Sequence, residues 1–195
     1  MKKSSFFKKN FKEGSDYIKK SKNFIYVALA IFVLFIVVGY LVPPSDSIKS
    51  AIQNFIEELF EETENMTWFE LAKFLFLNNV QSSFFGMIFG VFFGLFPLMV
   101  VVVNGYLLGF VASRVVGSEG IFTLWRLFPH GIFEIPAVLI SVGLGLKLGT
   151  FILQKNKTKS LKGLLIKSLK AFFVVVVPLL ILAAIIEASL IVLSG

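Results

Sequence analysis

Residues 24–42, FIYVALAIFVLFIVVGYLV, constrain the fold more than any other stretch: they form an apolar run with no charged side chain. A hydrocarbon core of about 30 Å is crossed by roughly 20 apolar residues, each rising about 1.5 Å along a helix. Inside lipid, backbone N–H and C=O groups find no water, so a lone segment must pair them within itself as an α-helix. Comparable runs occupy 76–95, 97–116, 129–153 and 171–193. Of 195 residues, 56% are hydrophobic and only 16% charged, too apolar for a soluble domain. The sequence therefore predicts an all-α fold, a single membrane domain over 1–195. It is a polytopic helix bundle with five transmembrane helices and additional amphipathic interfacial helices.

Local signals set the breaks. Pro43-Pro44 follows the first run, where a signal peptide would carry a small-residue cleavage site, so 24–42 reads as a retained span. The stretch 76–116 is too long for one crossing. In GLFP at 94–97, Gly94 can end a helix and Pro97 can begin one, which predicts a tight hairpin. Thr67 and Glu70 have the spacing of a capping box, with Trp68 as an interfacial anchor.

Charge is segregated. Residues 1–23 carry eight lysines against Glu13 and Asp16, and 154–170 carry six lysines and no acid. Leu161, Leu164, Leu165 and Leu169 share one face of the second segment, which reads as a basic interfacial helix. Both segments suit the anionic lipids of a cytoplasmic membrane face better than nucleic acid. The segment 43–75 holds seven acids, Glu57, Glu58, Glu61, Glu62 and Glu64 among them, against Lys49 and Lys73. Ile48, Ala51, Ile52, Phe55, Ile56, Leu59 and Phe60 fall on one helical face, so 43–75 reads as an acidic amphipathic outer hairpin. Residues 45–70 are then a candidate surface for protein partners, with a plain solvated cap as the alternative. The positive-inside rule places the protein in the cell membrane as a multi-pass chain with the N-terminus cytoplasmic and the C-terminus outside.

This threading gives each polar group a depth. Asn78, Asn79, Arg114, Arg126, His130, Glu134 and Glu187 all fall in the outer half, and Asn104 lies nearer the middle. His130 and Glu134 are four apart and share a helix face. A charged side chain facing lipid costs several kcal/mol, on the order of 3. The expectation is an inward polar cluster, with Glu134 meeting Arg114 or Arg126, that binds a ligand or simply holds helices together. Pro129, Gly131 and Pro136 predict an irregular or kinked entry to the fourth span. Gly86, Gly90 and Gly94, then Gly105 and Gly109, form GxxxG ridges that let helices approach closely, within one chain or between copies in a homo-oligomer.

Enzyme chemistry finds little support. There is no cysteine and one histidine, so the two-histidine zinc pattern is missing, and neither a metal nor a cofactor is expected. The glycines lie within apolar spans rather than in a phosphate-binding loop.

FLNNVQSSFFGMIFGVFFGLFPLMVVVVNGYLLG followed by FPHGIFEIPAVLISVGLGLKLG resembles the stage II sporulation protein M family of integral membrane proteins. The positions that carry the resemblance are Asn78-Asn79, Gly86, Gly94, Asn104-Gly105, Gly109, Pro129-His130-Gly131, Glu134, Pro136 and Gly149. The resemblance implies a multi-spanning bundle without established catalysis. It also implies a role like that of the sporulation member, a membrane component of a complex with cell-wall hydrolases. The leading expectation is a non-enzymatic protein that anchors or organises a membrane-associated complex. A small transporter or lipid translocator using His130, Glu134 and arginine is the alternative. An intramembrane hydrolase built on Glu134 and Glu187 is a remote third.

Overall fold

A computed structural model describes residues 2–122 and 128–194, with side chains over 8–118, 120–122 and 131–193. The described residues form helices and turns only. In chain order the α-helices are α1 (Lys2–Lys19), α2 (Lys22–Leu41), α3 (Asp46–Thr63), α4 (Trp68–Ile88), α5 (Leu95–Glu119), α6 (Phe128–Gly149), α7 (Lys157–Ala171) and α8 (Val177–Ser194). Five helical stretches are long and apolar enough to cross a membrane: Lys22–Leu41, Trp68–Val91, Leu95–Ser118, Gly131–Leu153 and Lys157–Leu193.

Several boundaries differ from the sequence expectation, each for a local reason. The second span begins at Trp68 rather than 76, because the capping box at Thr67 starts a helix that nothing afterwards stops. Thr67 Oγ1 accepts from the Glu70 N–H, and the Thr67 N–H donates back to the Glu70 carboxylate at 2.9 Å. The expected hairpin over 43–75 is therefore α3 plus the first turns of α4. The basic helix 154–170 and the fifth span are continuous: α7 passes into α8 through a π-helical segment, Phe172–Val176. Pro178 is the second residue of α8, one residue past that segment, and widened turns accommodate its missing N–H and the clash of its ring with the preceding turn. The fourth span, for which an irregular or kinked entry is expected, is helical from Phe128 and carries Pro136 inside it. The hairpin between α4 and α5 turns where GLFP predicts. Gly94 adopts φ +74°, open to glycine without steric cost, and Phe93 beside it is forced to φ 57°.

The helix α6 is the hub. It packs against α2, α4, α5 and α8, and Val142, Leu144 and Leu148 on it are essentially inaccessible. Glycines set how closely its neighbours approach. A Cβ on Gly90 would lie 2.1 Å from the Gly145 carbonyl oxygen, and one on Gly149 only 2.6 Å from the Gly94 nitrogen. A Cβ on Gly145 would come within 2.9 Å of the Gly86 carbonyl oxygen. The second ridge serves α2: a Cβ on Gly105 would stand 2.7 Å from the Phe32 carbonyl oxygen, and one on Gly109 2.0 Å from that of Ile36. Both ridges are thus used inside the chain. Lipid tails are as apolar as leucine, so close backbone contact of this kind is what holds membrane helices together.

One end of the bundle carries α1, α7 and most of the lysines. The other carries α3 and its acids. At the basic end α1 lies along α7, with Gly14 against Ala171 and a salt bridge from Lys170 to Glu13. At the acidic end α3 buries no residue.

Candidate functional site

Two places in the fold concentrate polar chemistry. The first lies toward the acidic end, where α6 meets α8. Ala137 and Leu144 on α6 share a core cluster with Phe172, Val176 and Leu180. At about 1.5 Å per residue, Glu134 lies about 5 Å beyond Ala137, and Glu187 about 10 Å beyond Leu180, both toward the acidic end. The next residue, Ala188, is buried with Leu71 and Ala72 of α4. Each carboxylate has its Oε2 atom buried, and each is engaged by a neighbour. A buried carboxylate requires such engagement, because desolvation is otherwise costly.

The wider cluster expected from sequence draws further on Arg114, Arg126, His130, Asn78, Asn79 and Asn104. Arg126 lies outside the described residues, and of His130 only the backbone, in the first turn of α6, is described. Arg114 is exposed, with its guanidinium 5.6 Å from the ring centre of Phe110 one turn earlier on α5. There it covers a residue of its own helix. Asn104 is also exposed and donates its amide to the Val100 carbonyl at 2.8 Å. A helix can satisfy an asparagine internally in this way, so the residue does not turn inward. Asn78 is exposed and Asn79 half-buried on α4.

The second place, at the basic end, was not anticipated. Lys147, near the end of α6, donates to the Lys20 carbonyl and to Ser21 Oγ, both at 3.0 Å. Its ammonium sits 4.2 Å from the ring centre of Tyr17. These contacts lock the junction of α1 and α2 against α6. Tyr17 is buried in the same core cluster as Ala171 and Phe172, and burial pushes its phenol above the ordinary range. A lysine inside an apolar span is itself a signal, since intramembrane ionisable residues are expensive. Its closeness to the basic segment hides it in the sequence.

Between α3 and the bundle lies an open apolar cleft of about 640 Å³. Ile48, Ala51, Ile52 and Phe55 of α3 form one wall, and Phe35 of α2 with Val103 and Tyr106 of α5 form part of the other. The Tyr106 hydroxyl donates to the Val42 carbonyl at 3.1 Å, closing the end of α2.

Fold and composition together define an all-helical membrane protein, closed around one glycine-lined central helix and polarised between a basic and an acidic end. Residues 28–190 match the family model of stage II sporulation protein M, and the chain belongs to that family. It is also similar to an uncharacterised protein of Methanocaldococcus jannaschii, with 29% identity over 122 residues. That match takes in 63% of this chain and 53% of the relative, so the chain spans about half the relative's length. No solved structure matches.

Proposed function

We propose that this protein is a non-enzymatic membrane organiser, seated with its basic end toward the cytoplasm, and that α3 is its arm for protein partners. The observation that supports this most is the state of α3. Glu57, Glu58, Glu61, Glu62 and Glu64 are exposed, and so are Phe55, Ile56 and Phe60. An amphipathic helix with both faces available suits a partner that offers basic groups to one side and apolar groups to the other. The glycine-tight bundle supplies a rigid base for it. The test is reversal of the five glutamates to lysine. A protein that co-purifies with the native chain should be lost from this variant and retained by Glu134→Gln; retention by both variants removes α3 from the role.

The buried carboxylate oxygens of Glu134 and Glu187 favour a second reading, a small transporter or lipid translocator that moves protons or headgroups past α6 and α8. Under that reading Glu134→Gln abolishes flux into liposomes while the helical content is kept. Unchanged flux excludes it.

A further inference from the structure

The cleft beside α3 is not explained by the packing of the bundle. Among the described residues α3 packs substantially against no other helix, and it buries no residue of its own. It is tied at its two ends, to the close of α2 at Leu41 and to the start of α4 at Trp68, so it crosses the acidic end of the bundle. Its apolar residues Ile48, Ala51, Ile52 and Phe55 line a space of about 640 Å³ whose other wall includes Phe35 of α2 and Val103 of α5. Phe35 lies six residues before Leu41, about 9 Å along the helix. The cleft therefore reaches into the apolar layer, where the surroundings are hydrocarbon and not water. Its volume falls among those of sites that enclose a small ligand, about 300–1,000 Å³.

Charge indicates what fills it. Side chains three and four apart on a helix are neighbours, so Glu58 follows Phe55 along the cleft side of α3, and Glu62 follows Glu58. Both carboxylates are exposed, and among the described residues neither has an ion pair or a side-chain hydrogen bond. Like charges at this spacing repel, and anions near the C-terminal end of a helix oppose its dipole; the last turn of α3 holds no basic residue. A cation would relieve both effects. The fitting occupant has a hydrocarbon chain for the cleft and a positive group about 5–10 Å further along α3. Anionic headgroups are disfavoured, since 43–75 carries seven acids against two lysines. A primary ammonium donates charge-assisted hydrogen bonds to carboxylates, and a quaternary ammonium has no N–H to donate. We infer that the cleft holds one phospholipid with a primary-amine headgroup. Its chain lies between α3 and the α2–α5 pair, its ammonium meets Glu58 and Glu62, and it thereby joins α3 to the bundle. The site does not depend on α3 binding a protein partner.

The test uses the whole chain in an uncharged detergent, with phosphatidylethanolamine, phosphatidylcholine or phosphatidylglycerol added and adducts read by native mass spectrometry. The expected result is a single adduct, held most tightly for phosphatidylethanolamine and least for phosphatidylglycerol. Ala51→Phe fills the cleft from an exposed position, so the chain should keep its helical content and lose the adduct. An exposed ion pair contributes about 0.5 kcal/mol, so Glu58→Gln with Glu62→Gln should cut the preference for phosphatidylethanolamine over phosphatidylcholine about five-fold. Glu57 is two residues from Phe55 and turned away from the cleft side, and Glu64 lies seven residues beyond Glu57 on the same side as it. Glu57→Gln with Glu64→Gln removes the same charge and should leave the preference intact. An adduct that survives Ala51→Phe would overturn the site. So would equal effects of the two glutamate pairs, or a native chain that holds phosphatidylglycerol as tightly as phosphatidylethanolamine.

Discussion

Substituting Gly109 by alanine tests the packing that holds this bundle together. The added Cβ would stand 2.0 Å from the Ile36 carbonyl oxygen, 2.8 Å from its carbon and 2.9 Å from the Tyr40 nitrogen. All three are backbone atoms, so no rotamer change can relieve the contact. A comfortable carbon–oxygen distance is about 3.3 Å, so α2 and α5 must part locally by about 1.3 Å. A gap of about 1 Å already forfeits up to half the dispersion energy of the atoms that faced each other. Overpacking of this kind costs about 1–3 kcal/mol, and a clash on backbone belongs at the upper end. Alanine returns about 1 kcal/mol in helix propensity, leaving a net loss of about 2 kcal/mol. Gly163 in α7 is the matched control, because a Cβ there meets nothing within 4 Å. There the propensity gain is unopposed, and Gly163→Ala should stabilise by about 0.4–1 kcal/mol. Reversible unfolding in mixed micelles, followed by circular dichroism, measures both. Equal stability of the two variants, or a stabilised Gly109→Ala, would refute the claim that glycine contact sets the spacing of α2 and α5.

Loss of the capping hydroxyl in Thr67→Ala should destabilise the start of α4 by about 0.5–2 kcal/mol, read as faster amide exchange over its first turn. Cysteines placed singly at Asn65 and Ser160, in a chain that has none of its own, should react with an impermeant maleimide from opposite sides of the membrane; labelling from one side alone would overturn the proposed orientation. Lys170 beside Glu13 holds that carboxyl below its ordinary range. The bridge therefore favours α1 docking above the ordinary carboxylate pKa, and the contribution is lost as pH falls through the depressed value. Amide exchange in α1 should rise on acidification in the native chain, whereas Glu13→Gln should lack that component.

Much of this molecule follows from the order of its residues. Apolar length demands helices wherever water is absent, so the five long apolar stretches, the GLFP turn and the Thr67–Glu70 cap were all legible. The helix ends were less so. Whether α7 continues into α8 depends on how Pro178 is absorbed, and a π-helical segment is a response of the whole backbone rather than a property of any one residue. The proposed polar site shows the same division. Depth along each helix placed Glu134 and Glu187 toward the acidic end, because rise per residue is fixed. Rotation about each helix axis is not fixed by composition; it is decided by which faces fit together. That is why Arg114 settles over Phe110 and Asn104 over its own backbone, while Lys147, unremarkable in sequence, becomes the bolt between α6 and the α1–α2 junction. The sequence alone determined which stretches are helical and the segregation of charge. The tertiary structure alone decided that Gly90 closes on Gly145 of α6 and that Gly105 and Gly109 close on α2, because a glycine's missing Cβ acquires meaning only from the backbone that fills its place.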